Sequence, residues 1–75
     1  MTRIDAAEDF HVDGEGIRLG QFLKLSSLLD SGGDAKQVIA DGDVSVNGVV
    51  ELRRGCQLRD GDTVSFQDRT VRVRY

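Results

Sequence analysis

Apolar residues recur along this chain with two different periods, and the switch between them separates a helical stretch from the strands around it. Phe10 and Val12 alternate with polar neighbours until Gly14 and Gly16 interrupt, which predicts a short first strand. From Arg18 the spacing lengthens. Leu19, Phe22 and Leu23 stand at i, i+3 and i+4, the stripe that one face of a helix buries, while Gln21 and Lys24 fall on the polar side. Ser26-Ser27 weakens that helix, and Leu28-Leu29 is expected to pack as a connector. Ala35, Val38 and Ile39 repeat the helical stripe and leave Lys36 and Gln37 outward. Ahead of them, Ser31 and Asp34 have capping-box spacing, with aspartate where glutamate or glutamine is usual. Gly42 is placed to end this second helix in the left-handed conformation that glycine adopts without a Cβ penalty.

Beyond Gly42 the period is two. Val44 and Val46 alternate, Asn47-Gly48 follows, and Val49-Val50 resumes the apolar run, a strong signal for a two-residue hairpin turn. Leu52 and Leu58 bracket an arginine-rich turn, Arg53-Arg54-Gly55, and Asp60-Gly61 forms another. Val64 and Phe66 face one way, Gln67-Asp68-Arg69 reverses the chain, and Val71, Val73 and Tyr75 alternate with Arg72 and Arg74. Those last two arginines read as charges protecting a sheet edge. The pattern predicts an α+β fold in which two short helices pack against one face of a small, mostly antiparallel sheet. Residues 1–9 lack apolar periodicity and are read as a flexible acidic leader ahead of a single domain over 10–75.

Composition narrows this picture. Seventy-five residues suffice for one domain with a small core. A single cysteine, Cys56, allows neither an internal disulfide nor a cysteine-ligated zinc site. No signal-peptide run and no apolar stretch approaching the roughly 20 residues of a membrane span is present, so a cytoplasmic protein is expected. The net charge of −3 is not that of a basic nucleic-acid binder. Its distribution is uneven, however. Residues 1–15 hold five acids (Asp5, Glu8, Asp9, Asp13, Glu15) against Arg3, leaving nine bases and eight acids elsewhere. From Arg53 onward, six arginines face only Asp60, Asp62 and Asp68.

Arg18, Leu19 and Leu23, then Ser31, Ala35, Val38, Ile39, Gly42, Val44, Val46, Asn47 and Gly48, then Gly61, Asp62 and Val64 form one unbroken ordered series. That series resembles the S-four RNA-binding domain, or αL motif, the family named after small-subunit ribosomal protein number four. The match covers about Arg18 to Phe66. Two positions depart from the family outline: Gly20 replaces an aspartate, and Gly32 replaces an arginine that commonly faces RNA. The string from Ser31 to Lys36, with Arg53-Arg54-Gly55, is similar to a stand-alone bacterial subgroup, the YbcJ-like proteins, in which Lys36 and the arginine pair would supply the charge instead.

The resemblance implies binding of structured RNA, ribosomal or tRNA-like, with a ribosome-associated or RNA-modifying protein as a further partner. Lys24, Lys36, Gln37, Arg53, Arg54 and Arg59 are the expected RNA-binding residues, with Lys36, Arg53 and Arg54 at the centre. Phosphate suits such a cluster because guanidinium can fork two hydrogen bonds to it. Of the aromatics Phe10, Phe22, Phe66 and Tyr75, three fall on core faces, so shape and backbone recognition is favoured over base stacking.

Little points to catalysis, and no enzyme activity and no cofactor are expected. His11 has no evident partner, Cys56 reads as a small partly buried thiol, and no phosphate-cradling glycine motif is present. Asp43, Ser45 and Asn47-Gly48 mimic the opening of a calcium loop, but its twelfth position is Arg54 rather than glutamate, so no metal site is expected. Two rival functions remain. One is a protein-interaction adaptor, monomeric like the RNA binder. The other is a β-grasp sulfur carrier, which needs a C-terminal Gly-Gly where this sequence reads Val73-Arg74-Tyr75.

Overall fold

A computed structural model describes residues 8–30 and 32–75. The elements run β1 (Glu8–His11), α1 (Leu19–Leu25), α2 (Ala35–Ala40), β2 (Val44–Val46), β3 (Val49–Val50), β4 (Thr63–Phe66) and β5 (Arg69–Arg74). The α+β architecture expected from the two periods is the one found.

Each helix is bounded by local chemistry. At the start of α1 the Gln21 side-chain oxygen accepts from the Arg18 backbone N–H at 3.3 Å. At its end Ser26 bonds back to the Phe22 carbonyl at 2.7 Å, and Ser27 turns the chain with φ 65°. The N-cap of α2 is Asp34, whose carboxylate accepts from the Lys36 N–H at 3.1 Å. The sequence reading gave Ser31 the leading role in that cap, and Ser31 lies outside the described residues. Gly42, at φ 82°, closes α2 as expected: its N–H bonds to the Ile39 carbonyl at 3.0 Å, and that of Asp43 to the Val38 carbonyl at 3.1 Å.

Five strands form one sheet in the order β1-β5-β4-β2-β3. The β1–β5 pairing is parallel and the others are antiparallel. Asn47 (φ 53°) and Gly48 (φ 84°) make the β2–β3 turn with both central residues at positive φ, the geometry that matches the strand twist. The Asn47 side chain also donates to Asp62 Oδ1 at 3.0 Å and accepts from the Thr63 N–H at 3.0 Å, so the hairpin is tied to the start of β4.

One strand assignment needs correction. β5 is not an edge, because β1 adds beside it. Arg72 and Arg74 therefore do not guard an open ladder. Arg72 pairs with Asp9 at 3.0 Å, and Arg74 reaches Asp9 at 3.7 Å and Asp60 at 3.4 Å. Glu8 and Asp9, read as part of the leader, thus lie in a strand: the parallel ladder holds their backbone, and arginines on β5 hold Asp9. Residues 1–7 lie outside the described part.

The core lies between the helices and one face of the sheet. Leu19, Phe22 and Leu23 of α1 and Ala35 and Ile39 of α2 pack with Val44, Val64, Phe66, Val71 and Val73 of the strands, all buried. Phe10 meets Phe22 edge to face, with ring centroids 5.9 Å apart. Among the described residues, no helix is long and apolar enough to cross a membrane.

Candidate functional site

The segment between β3 and β4 crosses the sequence-distant start of α1 and closes it. The N–H of Leu19 donates to the Cys56 carbonyl at 2.8 Å, and that of Gly20 to the Arg54 carbonyl at 3.1 Å. Both belong to the first turn of a helix, where N–H groups have no partner within the helix itself. Leu58 N–H bonds to the Ile17 carbonyl at 2.9 Å, and the Arg18 guanidinium to the Gly55 carbonyl at 2.8 Å. The arginine-rich turn is thus pinned beside α1 by backbone bonds rather than left free.

This docking creates an open groove of about 420 Å³ between α1, the start of α2 and the turn. Its walls carry Arg18, Lys24, Lys36 and Arg54 against one carboxylate, Asp34, which is already engaged as the α2 cap. Among the described residues, none of the four bases is in an ion pair. Four cations drawn from three stretches of chain and left unneutralised are suited to an anion with several charges along its length.

The structure brings together three of the six residues expected at the site: Lys24, Lys36 and Arg54. The other three stand apart from the groove. Gln37 bonds across one turn of α2 to Asp41 Oδ1 at 2.9 Å. Arg53 points to a neighbouring hollow that it shares with Arg18, Cys56 and Gln57, and pairs with Glu51 at 3.0 Å. That pair holds the Glu51 carboxyl below its ordinary value, chiefly through the side-chain hydrogen bond from Arg53, and raises Arg53 in turn. Arg59 lies before β4, where its N–H donates to Asp62 Oδ2 at 2.8 Å. Arg18 is the residue the sequence reading left out of the site. It served there to open the helical stripe and the family series; as the N-cap, with extended backbone (φ −96°, ψ 155°), it stands outside the helical periodicity that placed Lys24 on the polar side.

Other chemistry is sparse on this surface. Burial pushes the Cys56 thiol up, with Glu51 adding to the effect, so it is not activated as a nucleophile. Phe22 and Phe66 are buried. Phe10 and Tyr75 are partly buried against the core, and the Tyr75 hydroxyl is engaged, accepting from Ile17 N–H at 3.0 Å and donating to the Leu58 carbonyl at 2.7 Å. Among the described residues, no phenylalanine or tyrosine is exposed for stacking.

Comparison with known proteins agrees with the fold. The sequence profile of the S4 (S-four) domain matches residues 10–74. A protein of Escherichia coli strain K12 named "Putative RNA-binding protein YbcJ" is 44% identical over 57 residues, spanning 76% of this chain and 81% of that protein. A Bacillus subtilis strain 168 protein named "Probable ribosome maturation protein RlbA" is 43% identical over 61 residues, spanning 81% of this chain and 86% of its own length. The solution structure of YbcJ from E. coli, described as revealing an αL motif involved in RNA-binding, matches with a TM-score of 0.68 and 36% identity, over 100% of this chain and 96% of that one.

Proposed function

This chain belongs to the S4 domain family, and from that premise we propose that it binds structured RNA through the groove of Arg18, Lys24, Lys36 and Arg54. The observation that carries the reading is the gathering around one groove, in a chain of net charge −3, of four bases with no ion pair among the described residues. Each base meets phosphate as a charge-assisted donor, and the two arginines can fork to two oxygens at once. The lack of an exposed phenylalanine or tyrosine among the described residues favours recognition of backbone and helical shape over reading of unstacked bases.

The RNA is ribosomal in this proposal, met during ribosome assembly in the cytoplasm. Support comes from the relative whose name refers to ribosome maturation. The chain acts as a binder rather than an enzyme, and any modification of the RNA falls to a partner. Arg53, Arg59 and Gln37, which stand apart from the groove, are peripheral in this proposal.

Titration of a labelled ribosomal RNA hairpin and a matched single strand at several salt concentrations tests the reading. Four phosphate contacts give a slope of log affinity against log salt of about −3 to −4, at about −0.9 per contact on a duplex. Saturable, hairpin-preferring binding that weakens in Lys36→Ala and Arg54→Ala is the expected result. Absence of binding even at low salt would overturn the proposal and favour a protein-adaptor role.

A further inference from the structure

Position 20, in the first turn of α1, carries no side chain, and the vacated space is filled from outside the helix. A Cβ built on Gly20 would stand 2.6 Å from Cγ and 3.2 Å from Cδ of Arg54, and 3.7 Å from the Arg54 carbonyl oxygen. Nothing in the backbone demands glycine there, since Gly20 is not among the residues at positive φ. Glycine is also one of the least favourable residues within a helix. What the absent side chain provides is room for the arginine stem.

That approach is held from both sides. The Gly20 N–H donates to the Arg54 carbonyl at 3.1 Å, and the adjoining Leu19 N–H and Arg18 guanidinium bond to the carbonyls of Cys56 and Gly55, each at 2.8 Å. The turn cannot retreat from α1 without giving up these bonds. The Cγ of Arg54 leaves this position only by a change of χ1, which carries the whole stem with it. A side chain at position 20 would therefore displace the Arg54 stem while leaving its backbone in place.

We propose that Gly20 is a positioning residue for the RNA grip: its missing side chain seats the Arg54 stem against α1 and keeps that base in the groove with Arg18, Lys24 and Lys36. The inference rests on the groove being the RNA-binding face, but the seat itself can be tested without RNA.

The experiment is a double-mutant cycle of parent, Gly20→Ala, Arg54→Ala and the combined variant, read by thermal unfolding and by titration of a ribosomal RNA hairpin, with Lys36→Ala as a control on the groove. Alone, Gly20→Ala is expected to leave Tm unchanged or lower it. In the Arg54→Ala background, where Cγ and Cδ are gone, it is expected to raise Tm, because alanine favours the helix and nothing opposes it. In the titration, Gly20→Ala should approach Arg54→Ala, itself weaker than parent by about tenfold, with a salt slope shallower by about 0.9. It should change affinity by less than about twofold once Arg54 is absent, as expected for two residues acting through one contact. An equal rise in Tm in both backgrounds would overturn the seat. Parental affinity and slope in Gly20→Ala, with Lys36→Ala and Arg54→Ala both weakened, would overturn the positioning role and leave the RNA reading intact. If Lys36→Ala and Arg54→Ala both bind as the parent does, the groove reading fails, and the thermal cycle alone decides whether Gly20 seats Arg54.

Discussion

Arg53 and Arg54 are neighbours with opposite electrostatic circumstances. Arg54 lies along α1 with no acidic partner among the described residues, whereas Arg53 binds Glu51 through its guanidinium and its own backbone N–H, each at 3.0 Å. The sign of the Glu51 shift matters for any assay. Its folded-state pKa is lowered, so the ion pair persists at neutral pH and is lost only as pH falls through a value below the ordinary carboxylate range. Between about pH 5 and 8, Arg53 stays neutralised. Arg53→Ala is therefore expected to cost RNA affinity less than Arg54→Ala does, and equally at both ends of that pH range. Glu51→Gln should release Arg53 and strengthen binding by about two- to fivefold, the order of an exposed pair. Fluorescence titration of the three variants at pH 5.5 and 7.5 would check this, and a larger loss in Arg53→Ala than in Arg54→Ala would reverse the assignment.

At the scale of elements, the groove depends on where two short helices begin. α2 has only six residues and cannot sustain itself, so its cap and its packing determine whether Lys36 is presented. Asp34→Ala removes the acceptor for the Lys36 N–H and is expected to cost about 0.5–2 kcal/mol in urea unfolding. It also deletes the one carboxylate on the groove walls among the described residues, so RNA affinity per folded molecule should rise slightly rather than fall. Much of this level was legible in the residues themselves. The i, i+3, i+4 stripes located both helices, Asn47-Gly48 the hairpin and Gly42 the end of α2, because each signal is local. What stayed hidden was set by distant partners. Ser31 and Asp34 are both good caps, and composition alone does not choose between them. β1 pairs with β5 across some sixty residues (Glu8 with Val71), so β5 read as an edge. For the candidate site, Lys24, Lys36 and Arg54 could be nominated from helix periodicity and family resemblance, but the pairing of Arg53 with Glu51 and the docking that draws in Arg18 are tertiary events. The departure at Gly20 is explained only by the arginine lying against it.

On the whole molecule, charge is sorted into two populations with different sensitivities to salt. The outer face of the sheet carries matched pairs, Arg72 with Asp9 and Arg74 with Asp9 and Asp60. Their side chains are a third or more exposed, so water already screens them and each contributes little to stability. The groove carries bases with no ion pair among the described residues, and in the proposed reading their attraction for RNA falls as counterions compete. Raising salt from about 50 to 200 mM should therefore weaken RNA binding by about a hundredfold, from a slope near −3.6 for four contacts. Over the same range the free energy of unfolding should move by less than about 1 kcal/mol, because the fold rests on the buried cluster between the helices and the sheet rather than on its surface pairs. Measuring urea unfolding and RNA titration in the same buffers separates the two. A large salt-induced loss of stability would mean that the sheet-face pairs hold the fold together. A flat binding curve alongside a stable fold would mean that RNA does not meet the groove through its phosphates.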